Sequence, residues 1–152
     1  MANLHDIVQW CNQTLKANEF KDYAPNGLQI EGKSEIKKIV CAVTASEDAV
    51  DAAIAQQADV LLVHHGYFWK GEPYPITGMR GNRIKKLIQH NISLIAYHLP
   101  LDAHPVLGNN AAIADLIGLK NLEALDSSEK HPIGNIAYLE HALSSEQFKT
   151  KL

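Results

Sequence analysis

The sequence predicts an α/β fold, a mostly parallel sheet with flanking helices. Three short apolar runs, Ile39 to Val43, Val60 to Val63 and Leu94 to Tyr97, have the length and β-branched content of buried strands. Helical patterns separate them, so the strand–helix–strand unit occurs twice, and parallel neighbours need such a crossover.

The elements follow in order. Leu4, Ile7, Val8, Cys11 and Leu15 recur at helical spacing after an Asn3 cap, predicting an amphipathic helix that ends near Lys16. Pro25 and the turn pair Asn26-Gly27 precede Leu28-Gln29-Ile30, which alternates like a short strand before a turn at Gly32. Ile39 to Val43 reads as a buried strand, Ser46 with Glu47 and Asp48 opens a helix, and Val60 to Val63 is a second buried strand. A loop from Gly66 to Gly78 leads to a basic amphipathic helix, Asn82 to His90, with Ile84, Leu87 and Ile88 inward, and then to the third strand. Asn109-Asn110 could cap a helix running through Ala112, Ile113 and Leu116 to a Gly118 stop. Leu122 to Leu125 and Ile136 to Leu139 are strand candidates, and Ser144 or Ser145 could cap a last helix with Glu146 in its first turn. That pattern runs to Lys151-Leu152 without a stop signal, as expected of an interrupted element. No linker or repeat divides the chain, so the expectation is a single α/β domain, residues 1–152, forming the N-terminal part of a longer protein.

Composition narrows the function classes. With 46% apolar and 20% charged residues, the 152-residue chain is globular and long enough to bury roughly 68–70% of its unfolded surface. Fourteen basic against seventeen acidic residues give a net charge of −3, which argues against a nucleic-acid partner. The longest apolar run is five residues, far short of the roughly 20 of a membrane-spanning helix. The first residues carry no secretion-signal pattern and only Cys11 and Cys41 occur, pointing to a reduced, cytoplasmic protein.

Ligands of open α/β sheets bind beyond the carboxyl ends of the strands. His64-His65-Gly66 follows the second strand, and His98 with Asp102 and His104 follows the third, so four imidazoles and a carboxylate leave one predicted rim. Imidazole and carboxylate suit zinc, iron, nickel or manganese. Adjacent His64 and His65 would face opposite sides of a regular strand, so they share one centre only if the chain turns at Gly66, or else they serve a pair of metals. Tyr67-Phe68-Trp69-Lys70 could stack a flat heterocycle with the lysine steering an anion, pack an oligomer interface, or fold into the core. Arg80, Arg83, Lys85 and Lys86 read as a solvated helix face, with phosphate contact as the minority reading. His5, His90, His131 and His141 read as surface residues, and both cysteines as core residues. The GxxxxGKS/T phosphate loop, the GxGxxG turn and the GxSxG elbow are all absent.

Three segments carry a resemblance: Asp22-Tyr23-Ala24-Pro25-Asn26-Gly27-Leu28-Gln29-Ile30-Glu31-Gly32, Val63 to Gly71, and Tyr97 to His104 followed by Gly108-Asn109-Asn110. Together they resemble the GTP cyclohydrolase 1 type 2 homologue family, the YbgI-like proteins, over residues 1 to about 120 in order. The resemblance implies an α/β protein with two divalent metal ions in a dinuclear centre, assembled as a homohexameric ring with the metal sites facing an internal cavity. It also implies, for some members, interaction with transcription factors. Carried over by position, His64, His65 and Asp102 fall on metal-ligand positions, and His98 falls on a motif position near the metals, as a second layer or a proton carrier. The family completes its centre with a His-x-x-x-Glu pair near the far end of a longer chain; here His141 is followed four residues on by Ser145.

Two functions are therefore expected. The first is a divalent-metal-dependent hydrolase acting on a nucleotide- or pterin-like substrate, with His98 as the catalytic proton carrier. The second is a metal-bound, ring-forming scaffold or interaction protein without catalysis. Histidine and carboxylate without cysteine favour the first, because structural zinc sites are commonly closed by thiolates.

Overall fold

The computed structural model describes residues 1–152 and divides them into two compact units, 1–98 and 99–152. In chain order the first unit holds β1 (Ala2–Asn3), α1 (Leu4–Leu15), a 3-10 turn (Ala17–Glu19), β2 (Gly27–Ile30), β3 (Glu35–Ile36), β4 (Ile39–Thr44), α2 (Glu47–Ala55), β5 (Val60–His65), α3 (Gly78–Gln89) and β6 (Ser93–Ala96). The second holds α4 (Leu99–Ala103), α5 (Asn109–Leu116), β7 (Leu119–Ala124), β8 (Asn135–Leu139) and α6 (Ser145–Lys149). No helix is long and apolar enough to cross a membrane.

The first unit is built on a four-stranded sheet in the order β2-β6-β5-β4. β4, β5 and β6 run parallel, as the repeated strand–helix–strand pattern requires. β2 joins β6 antiparallel, with Gly27 opposite Ala96 and Leu28 opposite Ile95, so the sheet is mixed. Val50 and Ala53 of α2 and Ile84 and Leu87 of α3 close a core with Leu61, Val63, Leu94, Ala96 and Ile30. The predicted Asn3 and Ser46 caps both form: Asn3 accepts from the His5 amide and Ser46 from that of Ala49, each satisfying a helix donor that would otherwise be orphaned.

Several expectations are corrected. β4 is an edge strand rather than a buried one: Val40 and Ala42 pack on the core, while Val43 is 70% exposed and Ile39 and Cys41 share its open face. An unbroken apolar run carries no period-2 signal, so it could not reveal that only one face is covered. Cys41 is therefore a surface thiol, whereas Cys11 is half-buried and its thiol is pushed up by burial, against a hydrogen bond with Tyr97. α3 starts at Gly78, and Ile88 points to solvent because the inward stripe closes on Ile84 and Leu87. His5 lies at the surface, as expected, where it pairs with exposed Glu31 at 3.2 Å. Two of the four basic residues pair with nearby carboxylates, Arg80 with Glu72 at 2.6 Å and Lys86 with Glu47 and Asp51 of α2, while Lys85 is exposed as a solvated face requires.

In the second unit, β7 and β8 form an antiparallel pair. Gly108, not Asn109, occupies the cap position of α5; Asn109 and Asn110 lie inside the helix, where the Asn110 amide donates to Ile133 O at 2.6 Å. Gly118 takes a φ of +72°, a left-handed conformation suited to the end of that helix. Ser144 and Gln147 form a reciprocal capping box at the start of α6.

Candidate metal centre

β5 carries His64 and His65 at its carboxyl end, and His98 stands two residues past β6, its parallel neighbour. The three imidazoles are brought together. A ring nitrogen from each lies within 4.8 Å of the others, and ring centroids are 4.3 Å (His64–His65), 5.0 Å (His64–His98) and 5.6 Å (His65–His98) apart. No turn at Gly66 separates the pair, because both residues stay in β5 and Gly66 has no positive φ. β6 leaves the ladder at Ala96, opposite Val63, so the two rings project beyond it. Gly66 is needed for space instead: a Cβ there would meet Gln29 Oε1 at 2.2 Å and Ala96 Cβ at 2.7 Å.

Hydrogen bonds orient the rings. His64 Nδ1 lies 2.9 Å from Tyr97 O, a group that can only accept, so Nδ1 carries the proton and Nε2 the lone pair. His98 Nδ1 lies 2.7 Å from Oδ1 of Asp22, whose side chain is 3% exposed, and the same logic applies. His65 Nδ1 lies 3.1 Å from the Thr44 hydroxyl; with the proton on Nδ1, its Nε2 matches the other two. This is the second layer that metal-binding histidines use, a carbonyl or carboxylate on one nitrogen and a lone pair on the other. The clustered imidazoles, with His64 held in this way, fit a divalent ion.

Trp69 closes one side, its ring edge-on to His98 at 4.9 Å and its indole N–H donating to Gly66 O. The aromatic run thus divides its tasks. Tyr67 is buried, donates to Ala45 O at 2.8 Å and is pushed up to about 12 by that burial, while Phe68 packs against the core under Arg80.

The Duf34/NIF3 (NGG1p interacting factor 3) family model matches residues 2–152. The chain belongs to the Duf34/NIF3 family. A Neisseria meningitidis serogroup B protein named GTP cyclohydrolase 1 type 2 homolog is 57% identical over 118 residues, covering 78% of this chain and 47% of that one. A Haemophilus influenzae protein of the same name is 56% identical over 126 residues, 83% of this chain and 50% of that one. The chain therefore spans about half the length of the curated relatives it matches. Among solved structures, protein ybgI, described as of unknown function, superimposes with a TM-score of 0.90 at 42% identity over 98% of this chain and 58% of that one. TTHA1606 from Thermus thermophilus follows with a TM-score of 0.77 at 41% identity, over 82% of this chain and 51% of that one.

In this Duf34/NIF3 chain the remaining residues singled out from sequence lie in the second unit. Asp102, in α4, accepts from the Asn109 amide at 2.9 Å. His104 Nδ1 accepts from the Val106 and Leu107 amides at 3.2 and 2.9 Å, so this imidazole folds its own turn. Sequence reasoning missed three polar residues of the Asp22–Gly32 segment. Asp22 holds His98; Asn26 Oδ1 accepts from the His98 amide at 2.7 Å; Gln29 accepts from the Tyr67 amide at 2.7 Å and donates to Pro25 O at 2.9 Å. The only signal was their place in a distinctive segment, whose Asn26-Gly27 pair reads locally as no more than a turn.

Proposed function

We propose that His64 and His65, with Asp102 as the resemblance implies, hold divalent metal in this chain, and that the complete protein is a metal-dependent hydrolase. The observation that carries the reading is the convergence of three imidazoles with Nδ1 of His64 and of His98 committed to Tyr97 O and Asp22. Neutral imidazoles that present a lone pair are the chemistry of a cation site, and with His64 and His65 as the ligands His98 stands beside the ion. A bound divalent ion would lower the pKa of a coordinated water and polarise an electrophile. His98, backed by Asp22, is suited to take the proton at Nε2. Two ions and a homohexameric ring follow from the resemblance, a cytoplasmic location from the first residues and the cysteine usage, and all three are part of the proposal. A nucleotide- or pterin-like substrate draws on the relatives' name, GTP cyclohydrolase 1 type 2 homolog, and on the Trp69 wall beside His98.

The test is elemental analysis of tag-free protein with parallel turnover assays. His64→Ala and Asp102→Ala should lose metal. His98→Ala should keep it and lose metal-dependent turnover by about 10²–10⁴-fold. Equal metal in wild type and His64→Ala would sink the site, and metal loss in His98→Ala would make that residue a ligand. Metal binding without turnover on any nucleotide, pterin or ester substrate would leave the scaffold reading.

A further inference from the structure

The segment that folds over His98 does more than brace it. Asp22 receives three hydrogen-bond donors: the Tyr23 amide on Oδ1 at 2.6 Å, the Asn26 side-chain amide on Oδ2 at 2.8 Å, and His98 Nδ1 on Oδ1 at 2.7 Å. Asn26 spends its other end, Oδ1, on the His98 backbone amide at 2.7 Å. Asn26 cannot flip, because its NH₂ would then face the His98 N–H, and Asp22 meets donors on both oxygens. Only an acceptor-only group satisfies all three, and among the side chains of this size that is an ionised carboxylate.

We propose that Asp22 and Asn26 are positioning residues that lock His98 into the Nδ1–H tautomer, leaving Nε2 as its working nitrogen. Asp22→Asn is the discriminating change. With its NH₂ in the place of Oδ2 it opposes the Asn26 amide; with its NH₂ in the place of Oδ1 it opposes the Tyr23 N–H and donates to His98 Nδ1, driving the ring to the Nε2–H tautomer. The near-isosteric variant keeps shape and packing and changes the hydrogen-bond polarity together with the charge.

The role of His98 rests on the function proposed above, but the tautomer is read without metal or turnover, so the two fail separately. The experiment is side-chain ¹⁵N–¹H NMR of histidine-labelled, chelator-dialysed protein at alkaline pH, where imidazoles are neutral. Wild-type His98 should show a protonated Nδ1 and an unprotonated Nε2. Asp22→Asn should lose that pattern in the orientation that donates to Nδ1, and Asp22→Ala, which leaves Nδ1 without that acceptor, should populate Nε2–H, while His64, held by Tyr97 O, keeps its Nδ1–H tautomer and reports that the fold is intact. Asn26→Ala should broaden the His98 pattern without reversing it. An Nε2–H tautomer for His98 in the wild type overturns the inference whatever the variants do. A folded Asp22→Ala with the wild-type His98 pattern overturns it equally.

Discussion

An alanine at position 66 would set its Cβ against Gln29 Oε1 and Ala96 Cβ, and neither can give way freely. Gln29 is engaged at both ends, with the Tyr67 amide and Pro25 O, and Ala96 sits in the β5–β6 ladder. Gly66→Ala should therefore cost about 1–3 kcal/mol, the usual penalty of overpacking, read by denaturant unfolding. It should also weaken metal binding, because Tyr67 to Trp69 lose their anchor beside His65. A stability unchanged within about 0.5 kcal/mol would show that the loop absorbs the methyl. The two thiols make a second prediction at this scale. Exposed Cys41 should react promptly with a thiol reagent, and half-buried Cys11, its thiol pushed up by burial, should lag until the protein unfolds. Equal rates would contradict the edge position of β4.

Asp59 shows what a single carboxylate does for a whole element. It begins the segment entering β5 and accepts from the Lys37 and Lys38 amides at 2.9 and 3.1 Å and from Lys33 Nζ at 2.9 Å, fastening the turn before β4. The Lys37 amide, helped by Lys33 and Lys38 and opposed by desolvation, holds its carboxyl below the usual carboxylate range. A pKa lowered in the folded state contributes stability above the unfolded value of about 3.9 and loses it as pH falls through the folded one. Asp59→Asn should accordingly lower stability at neutral pH and flatten its decline below about pH 4, as read by melts across an acid series. An acid limb identical to wild type would remove Asp59 from the account. For α2, Ser46→Ala should cost about 1 kcal/mol, since the Ala49 amide loses its acceptor. Thermal unfolding checks this, and a neutral result would show that solvent serves the helix end equally well.

Across the molecule, ligand binding and folding are linked. A divalent ion at 100 times its Kd should stabilise the native state by about 2.7 kcal/mol, visible as a rise in melting temperature that His64→Ala abolishes. Hydrogen exchange should slow at residues 22–29 and 64–69, the segments joined to the histidines, and little elsewhere; uniform protection would argue for nonspecific association. Much of this was legible in the amino-acid order. Helix caps at Asn3, Ser46 and Ser144, the parallel run of β4, β5 and β6, and histidines at two neighbouring strand ends all follow from local signals: hydrogen bonds within a few residues, and apolar runs bounded by turns. The tertiary structure alone decided the rest. It set β2 antiparallel beside β6, left one face of β4 uncovered, turned Gly66 from a hinge into a gap for Gln29, and brought Asp22 to His98 across 76 residues of chain. Propensity and periodicity describe what a residue does with its neighbours in the chain. Which distant donor reaches which acceptor depends on how loops close and strands order themselves, and Asp22 has no local feature that names His98 as its partner.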